Sequence, residues 1–182
     1  MIERALTCHP AAAFGAGLEL SAAIESVAGA RVRVTFRLRG ELGRIAFPAR
    51  TSSLRVDGLW ERTCFEAFIV PEGRAHYLEL NVSPSTEWAA YAFDGYRQGM
   101  RPLPLPRTPE IAVTQSPSEV RVTADVDFGA IDDAPWPWCV GLSAVIADRA
   151  GTRSYWALRH PAAKPDFHDT AGFAWRLEGP VG

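Results

Sequence analysis

What this sequence lacks narrows it first. No apolar run approaches the roughly 18 residues that a membrane-spanning helix requires, so no transmembrane segment is expected. Met1 to Pro10 hold an acid and a base but no apolar segment of the signal-peptide kind, which points to a cytoplasmic protein. Cysteine is scarce: Cys8, Cys64 and Cys139 form an odd set without metal-ligand spacing. Such a set reads as free thiols in a reducing compartment. Neither sign of charge forms a long run and the formal net charge is −2. A nucleic-acid footprint and a polybasic membrane patch are therefore not expected.

Catalytic signatures are missing too. There is no nucleotide-binding glycine loop, no G-x-S-x-G elbow, no H-E-x-x-H and no C-x-x-C pair. Cys64 shares its strand parity with Glu66 and Phe68, which does not suggest an activated thiol. Sustained helical periodicity, internal repeats and domain linkers are absent as well. With 47% hydrophobic and 22% charged residues, the 182-residue chain reads as one folded domain, its core running from about Leu18 to Leu177.

What the sequence does have is alternation. In Arg31–Arg39, Val32, Val34, Phe36 and Leu38 point one way, and Arg31, Arg33, Arg37 and Arg39 the other. The four arginines read either as the solvated side of a sheet or as an anion-binding face. Further strands are expected at Leu18–Glu25, in the later part of Asp57–Pro71 (with Cys64, Glu66 and Phe68 in it), and at Ala75–Pro84, Glu87–Asp94, Ile111–Gln115, Glu119–Asp127, Trp138–Asp148, Arg153–Leu158 and Phe173–Leu177, with the first ten residues an edge strand or arm. Met100–Pro109 holds four prolines and is expected to be an extended surface connection, because proline lacks a donor and fixes φ. Trp138–Asp148 is apolar on both faces except for Ser143, as a central strand would be. The expectation is an all-β, antiparallel β-sandwich, immunoglobulin-like or jelly-roll-like, of about nine to eleven strands.

The candidate chemistry gathers around Trp60, Glu66 and the run Tyr77-Leu-Glu-Leu-Asn-Val-Ser83. Leu78, Leu80 and Val82 face a core, while Tyr77, Glu79, Asn81 and Ser83 share the other face. That polar face reads either as a solvated sheet surface or as a sugar-binding one, since rings stack on sugar C–H faces and acids and amides bind hydroxyls. Glu66 and Glu79, on adjacent strands, admit a second reading as the carboxylate pair of a glycoside hydrolase. Arg159–Gly172 holds His160, Asp166, His168 and Asp169. Their spacing matches no tight metal motif, and Asp166 or His168 is expected to anchor backbone at the base of the loop.

Leu59-Trp60 through Glu66-Ala67-Phe68, then Tyr77 to Pro84, then Tyr155-Trp156 ahead of Pro165-Asp-Phe-His168, resemble the DOMON-like superfamily, and within it the branch related to family 9 carbohydrate-binding modules. The resemblance spans about Leu18 to Leu177 and is sharpest from Trp60 to Pro84. It implies a non-catalytic binding sandwich whose partner is a small-molecule or sugar ligand. In those modules two tryptophans clamp a terminal sugar, helped by a glutamate six residues after the first and by an arginine and amides. Carried over, the ligand-binding residues are Trp60, Glu66, Asn81 and, as the second clamp, Trp156. Arg62 and Arg101 are candidates for the arginine. Thr63-Cys64 stand where the modules often carry an acid, which speaks against a family-type calcium site. Other members of the superfamily bind haem through methionine and histidine, and here that alternative would pair Met100 with His160 or His168.

Overall fold

A computed structural model describes residues 2–12, 14–129 and 136–180. Among them lie twelve strands: β1 (Arg4–Cys8), β2 (Leu18–Ala28), β3 (Arg31–Gly40), β4 (Cys64–Pro71), β5 (Tyr77–Val82), β6 (Trp88–Phe93), β7 (Arg101–Pro102), β8 (Glu110–Gln115), β9 (Glu119–Asp127), β10 (Trp138–Ala147), β11 (Arg153–Ala157) and β12 (Trp175–Leu177). Three single 3₁₀ turns are the only helical pieces among the described residues.

Every strand pairing is antiparallel, and the order is β7-β6-β5-β4-β10-β11-β1-β2-β3-β9-β8, with β12 beside the first half of β10. The sheet folds over at β1. Arg4 to Leu6 pair with β2, whereas Thr7 and Cys8 pair with β11. The two halves thus face each other as a sandwich, the all-β class expected from the alternation. Leu20, Ile24, Val34, Phe36 and Leu38 from one half meet Phe65, Ile69, Leu80, Val140 and Leu142 from the other. Phe36 and Phe65 stack at 5.1 Å between ring centroids, an arrangement worth about 0.5–1.5 kcal/mol beyond burial.

The outer face of the β8-β9-β3-β2 half is solvated, as one reading of the arginines had it. Asp125 takes Arg33 through Nε and Nη2, at 2.9 and 3.1 Å, directly across the β3–β9 pair. Arg37 reaches Glu3 at 2.8 Å and Arg39 reaches Glu119 at 2.7 Å. The arginines form a ladder of cross-strand ion pairs.

The other half differs. In β4, β5 and β6 every residue is buried on both faces. One face packs into the sandwich; the other lies under the β3–β4 and β11–β12 connections, which contribute Val56, Leu59, Phe167 and Phe173 to a second apolar cluster around Phe68, Tyr77, Tyr91 and Phe93. Tyr77, Glu79, Asn81 and Ser83 are all between 0% and 4% exposed. The polar face of β5 is therefore not the solvated sheet surface that alternation alone allows. Gly141 makes this cover possible: a Cβ there would stand 2.6 Å from Phe173. Gly40, at φ +125°, ends β3 where a side chain would strike the Gly17 carbonyl.

Two differences from the sequence reading concern proline and sheet edges. The proline-rich connection contributes β7, a two-residue edge strand in which Arg101 and Pro102 lie opposite Ala92 and Tyr91 of β6. Proline is tolerated there because an edge strand has one unpaired side. The closing strand is shorter than Phe173–Leu177, since Phe173 ends a 3₁₀ turn whose N-cap Asp169 accepts from the Ala171 N–H at 2.9 Å.

Candidate functional site

Antiparallel register brings the polar residues of four strands together beneath the covering loops. Glu66 on β4 lies opposite Asn81 on β5 and, on its other side, Ser143 on β10. Glu79 lies opposite Phe68 and Tyr91. Val145 of β10 is opposite Tyr155 of β11. A cavity of about 400 Å³ opens over this patch, with Glu66 and Glu79 as its polar floor. Trp60, Tyr155, Phe93 and Phe167 give it aromatic walls, and Arg97, Arg153, Met100, Pro165 and His168 complete the lining.

Trp60 is placed by the turn around it. Leu59–Glu61 is a 3₁₀ turn entered from Gly58 in the left-handed region; Leu59 is its buried anchor, which turns the neighbouring indole outward. The indole is 37% exposed and meets Tyr91 edge to face at 6.0 Å. Tyr91 is itself held from below, donating to Asp57 Oδ1 at 2.6 Å. Loss of solvation and the Asp57 carboxylate push the Tyr91 phenol well above its usual range.

The floor is rich in acceptors. Asn81 Nδ2 donates to Glu79 Oε1 at 2.7 Å, while Asn81 Oδ1 is buried with no partner among the described residues. Ser143 Oγ stands 3.5 Å from Glu66 Oε2, a long contact for a donor to a carboxylate. Burial raises the proton affinity of both acids, and the proximity of Glu79 adds to the effect at Glu66. Glu79 is pushed up to about 7, with Asn81 and Arg97 opposing the rise. Glu66 is raised well above the usual carboxylate range.

One relay ties the covering loops to the floor. The Arg97 N–H donates to the Tyr77 hydroxyl oxygen at 3.2 Å, so the hydroxyl proton is left for His168 Nδ1 at 2.8 Å. That assigns the His168 hydrogen to Nε2, which lies 4.0 Å from Glu79 Oε2. The contact is not an ion pair. Burial, then the nearby Arg97 charge, hold the imidazole down to about 4, so it is neutral at pH 7. Arg97 is neutralised by Asp166 at 2.9 Å, and the same carboxylate accepts from Tyr96 and from the His168 N–H at 3.1 Å. Asp166 does anchor backbone at the loop base, as the sequence suggested.

Of the sequence-predicted site residues, Trp60 and Glu66 line the cavity. Asn81 stands behind the lining and orients Glu79. Trp156 is elsewhere. Side chains alternate along β11, so Tyr155 faces the cavity and Trp156 faces the sandwich core, 4% exposed, its indole N–H donating to Ser154 Oγ at 2.9 Å. Trp88 also lies in the core, and Trp136 stacks on Trp138 at 3.7 Å. Arg62 and Arg101 do not line the cavity; the arginines that do are Arg97 and Arg153. Tyr155 was legible in principle, from the parity of Arg153-Ser-Tyr-Trp-Ala157 against Ser143. Arg97, Pro165 and Phe167 arrive on loops without periodicity. His160 is drawn away, bonding the Thr7 carbonyl at 2.8 Å. Among the described residues no three His, Cys, Asp or Glu side chains converge as a metal site.

No family model matches the chain, and no curated protein matches it in sequence. Solved structures do match in fold. A protein from Bacteroides uniformis to which carbohydrate binding is provisionally assigned superposes with a TM-score of 0.69 at 12% identity, over 98% of this chain and 86% of that one. A family 9 carbohydrate-binding module from Caldicellulosiruptor kristjanssonii, in complex with cellotriose, gives 0.50 at 12% identity, over 97% and 83%. A module of the same family and organism, in complex with glucose, gives 0.49 at 12% identity, over 97% and 85%.

Proposed function

We propose that this chain is a non-catalytic binding domain for a carbohydrate or a related polyhydroxylated molecule, held in the cavity above Glu66 and Glu79. The observation that carries the reading is the pairing of aromatic walls with a buried, acceptor-rich floor in one space of about 400 Å³. Stacking on Trp60 and Tyr155 suits the C–H face of a sugar ring. Glu66 and Glu79 suit its hydroxyls, which donate to and accept from a carboxyl group as its protonation requires. The clamp is then one tryptophan and one tyrosine, with Asn81 fixing Glu79. The fold shared with a cellotriose-binding module, and the Trp60–Pro84 resemblance to the DOMON-like superfamily, support the same reading.

A glycoside hydrolase is the second reading, and one observation favours it: two carboxyl groups open into one cavity. Such enzymes keep one of the pair ionised as base or nucleophile while the other holds its proton. Here burial raises both acids, which suits hydrogen bonding to hydroxyls better than that division of roles. The arrangement also supports a sugar over a haem. Met100 and His168 line the same cavity, but His168 Nδ1 already accepts from Tyr77 and its Nε2 faces Glu79.

Titration of the intact protein with neutral mono- and disaccharides, followed by tryptophan fluorescence and calorimetry, tests the reading. Saturable binding that Trp60→Ala and Tyr155→Ala each weaken about ten-fold or more is expected. Absence of binding across the panel overturns it. Turnover of an aryl glycoside that Glu66→Gln or Glu79→Gln abolishes would establish the hydrolase instead.

A further inference from the structure

Arg153 lines the first cavity and also lines a second of about 510 Å³, whose lining includes Ala147, Asp148 and Gly151. The Arg153 side chain is exposed and common to both linings. A ligand larger than a single sugar ring that extended from the Trp60 wall past Arg153 would meet both.

The charges along this path are unequal. In the second cavity Glu87 is engaged by Ser85 Oγ at 2.7 Å and by Arg62 at 3.9 Å. Asp148 accepts from Arg44 at 3.1 Å and from the Ala150 and Thr152 N–H groups, both at 2.9 Å. These acids are spoken for. Arg149 and Arg153 are exposed and have no side-chain partner among the described residues, and Glu61 is the remaining acid of the cavity. With Arg62–Glu87 and Arg44–Asp148 neutral as pairs, two arginines against Glu61 leave one excess positive charge. In the first cavity the corresponding arginine, Arg97, is already matched by Asp166.

The two ends therefore ask for different chemistry. The Glu66–Glu79 floor offers carboxyl groups to hydroxyls, and the arginine beside it, Arg97, is already matched, so it holds nothing for an anion. The Arg149–Arg153 end takes an anion, and a guanidinium fits a carboxylate through two parallel N–H donors. We propose that the ligand is an acidic oligosaccharide of at least two units: a neutral ring lies in the first cavity, and a neighbouring unit presents a carboxylate to Arg153 and Arg149 in the second. This rests on the sugar-binding reading of the first cavity and adds the length, polarity and direction of the ligand.

Calorimetry with three disaccharides tests it: a neutral one and two that carry a hexuronate at either the reducing or the non-reducing unit. One acidic isomer is expected to bind at least ten-fold more tightly than the neutral sugar. That advantage should shrink as salt is raised from about 0.05 to 0.5 M and vanish in Arg149→Ala/Arg153→Ala. Binding of the neutral disaccharide as tightly as both acidic ones, or an advantage that survives the double variant, overturns the second subsite while leaving the first cavity's reading intact. No binding of any of the three overturns both.

Discussion

Asn81 Nδ2 holds Glu79 Oε1 at 2.7 Å in the floor of the cavity, and Glu79 Oε2 lies 4.0 Å from His168 Nε2. The two groups that face each other there, Glu79 and His168, are both driven by burial toward their neutral forms, and this makes opposite contributions to stability as pH changes. Glu79 binds its proton more tightly folded than unfolded, about 7 against 4.5. Its contribution is fully present below about pH 4.5 and is lost as pH rises through 7. His168 binds its proton less tightly folded, about 4 against 6.5. Its contribution is present above pH 6.5 and is lost as pH falls through 4. Each corresponds to at most about 3–4 kcal/mol.

Differences between variants and the parent chain separate the two. The melting temperature of Glu79→Gln, relative to the parent, is expected to climb between about pH 4.5 and 7. That of His168→Gln is expected to climb in the other direction, from pH 6.5 down to 4. Thermal melts across that range check both, and a flat difference for either variant contradicts its assignment.

The two tryptophans once paired by sequence should part company in mutagenesis. Trp156 is 4% exposed within the core and Trp60 is 37% exposed at the cavity rim. Trp156→Ala is expected to cost about 3–5 kcal/mol, as large-to-small changes of buried aromatics do. Trp60→Ala should cost under about 1 kcal/mol while removing most ligand affinity. Chemical denaturation of both variants, beside the sugar titration, reads the two effects apart.

How much of this was legible beforehand follows from what alternation encodes. Val32 to Leu38 on β3 and Leu78 to Val82 on β5 fixed strand, face and core side, because their period has no competitor. The same rule, applied to Tyr155 and Trp156, leaves open which face of β11 is the core until β10 is placed beside it. Trp60 and Glu66 were assigned through the resemblance to family 9 modules. The cover over Glu79 was not, since it depends on Pro165, Phe167 and Phe173 reaching across from a loop with no period, and on Gly141 leaving room. For that reason alternation alone left a solvated surface open beside a binding one as the reading of the polar face of β5.

The ion-pair ladder on the other half makes a separate, modest prediction. Arg33 and Asp125 meet through two hydrogen bonds, but the arginine side chain is 42% exposed. Solvent screens such a pair, so a double-mutant cycle with Arg33→Ala and Asp125→Ala should give a coupling of about 0.5–1 kcal/mol. The coupling should fall toward zero near 1 M salt, where the screening length is about 3 Å. A coupling above 2 kcal/mol, or one indifferent to salt, would mean that the pair is more buried than its exposure implies.

Asp166 is where the cover and the floor communicate. Its carboxylate accepts from Arg97, Tyr96 and the His168 N–H, so it ties 94–100 to 159–169 and cancels the Arg97 charge. Asp166→Ala is expected to cost about 1–2 kcal/mol, the range for losing a charged hydrogen-bond hub at a partly exposed site. It should also raise hydrogen exchange at the His168 amide at least several-fold. A second effect follows from charge alone: with Arg97 no longer matched, its field falls on Glu79 and His168. Glu79 should then ionise at a lower pH than in the parent, and His168 should resist protonation further. Side-chain NMR titration of the two residues reads both shifts directly. Asp166→Asn separates the roles, because the amide oxygen can still accept from the His168 N–H while the charge is gone. It should restore most of the exchange protection and none of the titration behaviour.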